Sequence, residues 1–264
     1  MRSAGTFPIL DHDDDPDDLI HVAQRAQERV DLPPRAVLTL LGEVSERYAE
    51  ENGYELVDEV ETIMRRHPIR VGVHGGVEVA LVEIPLGGPA AVIMLEHLLM
   101  SGVREAVAVG SCGGLTHFEE GAFVLPTRAL RAEGTSYHYL PAQEWVDTDP
   151  ALRQACARAV EAAGLHHVEV ATWTTDAFYR ETRATLAARL EQGCQVVEME
   201  CASLAACAQY RGASFAQILY TADTLAEEDW DARRFGSDAR EVGLTLALDA
   251  VTGVTSASGG QAQR

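Results

Sequence analysis

Residues 77–114 read VEVALVEIPLGGPAAVIMLEHLLMSGVREAVAVGSCGG. The apolar run Val77–Ile84 predicts a strand. Proline in a first turn and Gly102 just past an end predict a helix over Pro89–Met100. Ala106–Val109 is a short, wholly apolar strand that runs straight into glycines. Strand, helix and buried strand in succession make the unit of a parallel or mixed sheet covered on both faces. Upstream, Ile69–Val73 should pair with Val77–Ile84 as a hairpin around His74-Gly75-Gly76. Downstream the alternation continues with a strand at Ala122–Leu125, a helix over 150–163 ended by Gly164, and a strand at Val168–Thr174. A helix over 183–192 is stopped by Gly193, and Gln195–Val197 leads into a helix through Tyr210. Its buried face would be Val197, Cys201, Leu204 and Ala208. A strand at Ala216–Thr221 and a helix over 239–251 close the series. The expected class is α/β. Ligands in such folds sit at the carboxyl ends of strands, so the places to look follow Val109, Thr174 and Thr221.

Composition narrows the chemistry. The chain has 264 residues and a formal charge of −20, and every one of its 21 basic residues is arginine. Without lysine there is no Schiff base, no P-loop lysine and no lysine general base. The acidic balance argues against nucleic acid and anionic membrane surfaces as partners. No apolar run approaches the roughly 20 residues that span a bilayer, and the N-terminus does not read as a signal peptide. The expectation is a soluble cytoplasmic protein. Five cysteines without a CxxC argue against a disulfide framework or a zinc site. The length leans to one domain. Residues 1–34 read as an acidic, solvated extension with a short helix near 19–30, residues 35–252 as the domain, and 253–264 as a disordered tail.

Three strand ends carry candidate chemistry. After Val109 comes Gly110-Ser111-Cys112-Gly113-Gly114, whose glycines let a backbone approach an anion or a sugar. The same residues hold Gly-x-Cys-x-Gly centred on Cys112, the thiol form of a nucleophile elbow; a tight strand exit with a buried cysteine reads equally well. After Thr174 comes Thr175-Asp176-Ala177-Phe178-Tyr179, a platform for a planar ring or a capped turn with anchoring aromatics. Glu198-Met199-Glu200 lies at a strand–helix junction, where both acids could also simply favour a helix N-terminus. Asp223 follows a buried strand, with Asp231, Arg233 and Arg234 downstream as possible partners.

Taken together and in order, these segments resemble the nucleoside phosphorylase superfamily, which contains uridine phosphorylase, the hexameric purine nucleoside phosphorylases and the methylthioadenosine nucleosidases. The carrying residues are Val109–Leu115, Glu133–Leu140 with Pro141, Thr174–Tyr179, Val197–Ala202 and Thr221–Asp223, in similarity over roughly 35–250. The resemblance implies a single domain on a twisted central mixed sheet flanked by helices, in a homo-oligomer (dimer to hexamer) with shared active sites. It implies that Gly110 and Ser111 hold phosphate and sugar, with Cys112 in the same loop and Gly113 beside the base. Phe178, with Tyr179, would stack on the base. Glu200 would hold the ribose hydroxyls, with Glu198 and Met199 beside it, and Asp223 would protonate a purine nitrogen. Inorganic phosphate would be co-substrate, with no metal or organic cofactor.

The departures are specific. The family's phosphate arginine falls on Ala108, and its N-terminal phosphate loop appears as Leu41-Gly42-Glu43-Val44-Ser45-Glu46-Arg47, with Glu46 where arginine is expected. Arg47, Arg65, Arg66 and His67 are the visible replacements, Arg47 and Arg66 the phosphate candidates. The uracil-reading Gln-x-Arg falls on Thr182 and Ala184. The expected activity is phosphorolysis of a nucleoside, purine favoured over uridine, with Arg233 or Arg234 supporting the Asp223 acid. A nucleosidase using water and a non-catalytic nucleoside-binding protein are the alternatives, and a thiol hydrolase on Cys112 is a distant further one.

Overall fold

Ala36 and Leu38 face one hydrophobic core and Val37 faces another, all three fully buried. Alternation of this kind places a strand inside a sheet covered on both faces. The computed structural model describes residues 7–15, 18–227, 229–234 and 236–253. Its elements are α1 (Leu19–Arg25), β1 (Arg35–Thr39), α2 (Glu43–Glu51), β2 (Glu55–Glu61), β3 (Arg66–His74), β4 (Val77–Glu83), α3 (Gly88–Met100) and β5 (Glu105–Gly114). Then follow β6 (Phe123–Ala132), β7 (Trp145–Asp147), α4 (Pro150–Ala162), β8 (His167–Thr175), α5 (Arg183–Glu191), β9 (Cys194–Glu198), α6 (Cys201–Tyr210), β10 (Ser214–Thr224) and α7 (Arg240–Thr252).

β1 lies between parallel β4 and β5, and β5 is also parallel to β10. β3 joins β4 and β2 antiparallel. Its turn to β4 uses Gly75 and Gly76, with φ of 57° and 86°, values that a two-residue hairpin of the twist-matching type requires. At its far end β5 pairs antiparallel with β9; β9 is parallel to β8, β8 to β6, and β6 returns antiparallel to β10. The mixed sheet therefore closes on itself at one end. α3 and α6 belong to the core on one face, α4 and α7 to the core on the other.

Three local expectations change. The glycine segment is strand rather than loop, because β5 continues to Gly114 alongside β9 and β10. A Cβ on Gly113 would lie 3.1 Å from Val197 Cγ1, so β9 comes this close to a residue without a side chain. α6 starts only at Cys201; Val197 stays in β9. The acidic extension is not merely solvated. Asp18 pairs with Arg211 at 2.6 Å, Tyr210 Oη donates to the Asp15 carbonyl, and Arg29 Nη1 meets His97 Nδ1 at 3.1 Å. The predicted tail beyond Gly253 lies outside the described residues. No helix among the described residues is long and apolar enough to cross a membrane.

Candidate active site

β9 ends at Glu198, and the chain bends through Met199 and Glu200 before α6 begins. The Glu198 carboxylate is fully engaged. Thr174 and Thr172 hydroxyls donate to Oε1 at 2.6 and 3.3 Å, and the N–H groups of Glu200 and Cys201 donate to Oε2 at 2.8 and 2.6 Å. It satisfies orphan donors at the start of α6, which is a structural task. Burial pushes its pKa up, and those hydrogen bonds oppose the rise. Glu200 is buried as well, and its Oε1 accepts the Gly87 N–H at 2.6 Å. Gly87 is the N-cap of α3 with φ 91°, so the carboxylate sits between the N-termini of α3 and α6, where negative charge is favoured. Burial raises the Glu200 pKa, and the Glu198 charge raises it further. Met199 between them is half-buried.

Glu200 borders a cavity of about 380 Å³ whose other polar side chains are Ser111, Glu83 and Arg65. Leu40, Ile84, Pro85 and Leu86 complete it. Ser111 is exposed at this end of β5, and Gly110 before it packs on Leu40, 3.1 Å from where a Cβ would stand. The two arginines expected here are elsewhere. Arg47 on α2 pairs with Glu241 on α7, and Arg66 pairs with Glu59 at 3.3 Å and Glu61 at 3.9 Å. Each pairs with a carboxylate that is not among the residues lining the cavity. Arg65 is the arginine that borders the cavity, its Nη2 3.5 Å from Glu83 Oε2. Glu46 is itself matched by Arg70 at 3.8 Å.

Just after β8, Phe178 and Tyr179 occupy a short helical turn, their rings edge to face at 5.1 Å. Phe178 is 42% exposed, an open aromatic face. Asp223 is buried near the end of β10 and accepts the Trp230 Nε1–H at 2.7 Å through Oδ2. A Cβ on Gly113 would stand 3.2 Å from Asp223 Oδ1, so the glycine is what leaves this carboxylate room. Glu181, three residues after Phe178, is pushed up to about 7 by burial and then by the Asp223 charge. The arginines expected to support Asp223 do not pair with it. Arg233 Nη2 donates to the Phe118 carbonyl at 2.9 Å, and Arg234 pairs with Asp238 at 2.8 Å and Glu120 at 3.6 Å. Trp230 supplies the neutral donor instead.

Cys112 is buried, its Sγ 3.6 Å from the Tyr220 carbonyl. Burial holds its thiol well above the ordinary range, and the Glu198 and Asp223 charges add to that, the opposite of an activated nucleophile. All five cysteines are buried. Iodoacetamide should therefore leave the native protein unmodified and alkylate all five thiols after denaturation, as read by mass spectrometry. Rapid native labelling at Cys112 would restore the thiol reading. Among the described residues no group of three His, Cys, Asp or Glu side chains is placed to hold a metal ion.

Gly87, Trp230, Glu181 and Glu83 escape the sequence reading. Glu83 had a signal: it ends an apolar strand just as Asp223 does. Gly87-Gly88-Pro89 opens a helix, a place where N–H groups are free. Nothing near Trp230 marks it.

The sequence profile described as the phosphorylase superfamily matches residues 34–252. A uridine phosphorylase of Thermococcus kodakarensis is 30% identical over 116 residues, 44% of this chain and 42% of that protein. A guanosine phosphorylase of Halorubrum lacusprofundi is 26% identical over 209 residues, 75% of this chain and 86% of that protein. The crystal structure of a purine nucleoside phosphorylase from Toxoplasma gondii superposes with a TM-score of 0.73 at 21% identity, covering 85% of this chain and 92% of that one.

Proposed function

The chain belongs to the phosphorylase superfamily, and from that premise we propose that it cleaves the N-glycosidic bond of a purine nucleoside by phosphorolysis, giving free base and (deoxy)ribose 1-phosphate. The observation that carries the reading is Glu200: buried, held by the Gly87 N–H, and bordering a cavity it shares with Ser111. Cleavage of this bond passes through an oxocarbenium-like state, so a carboxylate that takes the ribose hydroxyls stabilises charge as it develops. Phosphate would lie against Ser111 and Arg65, attacking the anomeric carbon. Phe178 would stack on the base and Asp223 would give it a proton. Purine over uridine is supported by Thr182, whose hydroxyl caps α5 by accepting the Thr185 N–H at 3.2 Å and is therefore engaged where a uracil reader would stand.

Exposed apolar side chains flank the site, among them Leu86, Ile63, Met64 and Tyr179. They support a homo-oligomer whose neighbouring subunit covers the opening; the formal charge of −20 favours small molecules over nucleic acid or anionic membranes as partners, and the compartment proposed is the cytoplasm. No resident metal or organic cofactor takes part in this reading. The deciding experiment is product analysis over a nucleoside panel with and without phosphate, in which sugar 1-phosphate should form and its rate should rise with phosphate. Arg65→Ala should raise the phosphate KM by at least about tenfold, the loss of one charge-assisted contact. An unchanged phosphate KM would remove Arg65 from the anion site.

A further inference from the structure

We propose that Glu133 is a positioning residue for Glu200, acting through Ser203 and the N-termini of α3 and α6. The proposal rests on the reading that Glu200 holds the ribose, and gives a task to a buried acid which that reading leaves unused. Glu133 directly follows β6 and is 6% exposed. Its Oε2 accepts the Ser203 hydroxyl at 2.7 Å and the Ser136 N–H at 3.0 Å. Ser136 is held in turn, its hydroxyl accepting the Arg131 Nε–H at 2.8 Å. Arg131 also donates to the Pro141 and Leu140 carbonyls at 2.7 and 3.0 Å. Arg131, Ser136 and Ser203 are all buried. The acceptor offered to Ser203 is thus fixed by a network in β6 and the turn after it, where an unpaired polar group is costly.

Ser203 touches both helices that hold Glu200. It is the third residue of α6, and Glu200 stands just before that helix, its carbonyl accepting the Leu204 N–H at 2.9 Å. Gly88 opens α3, directly after the Gly87 whose N–H donates to the Glu200 carboxylate. A Cβ on Gly88 would lie 2.2 Å from Ser203 Oγ and 3.3 Å from Thr135 Oγ1, so any side chain there would push the helices apart. The Ser203 hydroxyl is therefore where the start of α3 rests on α6, and Glu133 fixes its direction. A misplacement of about 1 Å in a substrate-holding group can cost 10²-fold in rate. Glu133 does not touch the cavity that Glu200 borders. Its effect runs through where Glu200 is held.

Ser203→Ala and Glu133→Ala each remove the link. Glu133→Gln keeps it, because no donor among the described residues reaches Oε1, and the amide oxygen can take the place of Oε2. The alanine variants should lose about 10–100-fold in kcat/KM on a ribonucleoside and no more than about threefold on its 2′,3′-dideoxy counterpart, which gives Glu200 nothing to hold. Glu133→Gln should recover most of the loss. Added to Glu200→Gln, Ser203→Ala should cost little more, since changes that act through one group are not additive. The pH profile gives an independent readout. The Gly87 N–H opposes the rise in the Glu200 pKa, so a carboxylate drawn away from it keeps its proton to higher pH. The rise of kcat/KM with pH should therefore shift upward in both alanine variants. Glu198 of β9, Glu83 of β4 and Arg65, the charged groups around Glu200, are unchanged in them. A merely structural role would impair both substrates alike and leave the profile in place. Equal losses on the two substrates, or full additivity with Glu200→Gln, overturn the inference and leave the functional reading standing. A wild-type protein that cleaves no nucleoside takes both down. Ser203→Ala, a single hydroxyl removed from a helix, carries the test if Glu133→Ala does not fold.

Discussion

Glu200→Gln will fold like the parent and lose at least about 100-fold in kcat/KM, since a buried charge-assisted hydrogen bond is worth roughly 1.5–3 kcal/mol in binding and more in a charged transition state. Glutamine keeps the shape and can still accept the Gly87 N–H through its oxygen. What it lacks is the negative charge. The pH dependence follows from the raised pKa of Glu200, caused by burial and then by Glu198. The carboxylate form grows as pH rises, so wild-type kcat/KM should climb on an acid limb lying above the ordinary carboxylate range. That limb should be absent from the variant. A carboxyl whose folded pKa is raised contributes stability at low pH and loses it as pH rises through the folded value. The variant should therefore be at least as stable as the parent on the alkaline side.

Glu198→Gln should behave differently. Its carboxylate accepts four donors, two hydroxyls and two backbone N–H groups. An amide NH2 cannot accept, so it would leave one pair of donors unmatched at a cost of about 1–3 kcal/mol in a buried site. The loss should appear mainly in Tm or denaturant midpoint, with activity per folded molecule much less affected than in Glu200→Gln. Equal losses of kcat/KM in the two variants at equal Tm would show that the substrate-facing and structural roles are assigned to the wrong carboxylates.

What the sequence made legible was periodicity and punctuation. The Gly75-Gly76 turn, the proline-led start of α3 and the apolar run of β10 are local facts, and the elements form where those facts place them. What it hid was long-range approach. Glycines 110, 113 and 114 look like a loop until β10 pairs with the first and β9, more than 80 residues later, with the other two. Arginine partners are hidden for the same reason. Arg47 is taken by Glu241 from α7, while Arg65 and Arg66, adjacent in sequence, divide between Glu83 and the β2 acids. β2 itself was missed because only Val60 of its seven residues is buried, so no alternation of apolar residues marks it. Glu83 was equally visible in outline as Asp223, but the resemblance assigned a role to one strand-end acid and none to the other.

Asp223→Asn should cut purine nucleoside turnover about 10²–10⁴-fold, the range for losing a general acid. A purine leaves far more readily once a ring nitrogen is protonated, so the bond-breaking step calls on a donor beside the base. Asp223 is buried, held at Oδ2 by Trp230, and given room at Oδ1 by Gly113. The group that shares its surroundings is Glu181, pushed up to about 7 by burial and by the Asp223 charge. The raised Glu181 carboxyl thus keeps a proton near the site toward neutral pH, while Arg233 and Arg234 are engaged elsewhere. Asparagine preserves the volume and can still accept from Trp230, but it cannot give the proton. Nucleosides already activated at the leaving group, such as N7-methylated purines, need no acid and should keep most of their rate. An equal loss on activated and ordinary nucleosides would mean that Asp223 holds the base without protonating it. A wild-type preference for uridine would overturn the purine assignment, because a pyrimidine offers no N7 for this carboxyl to protonate.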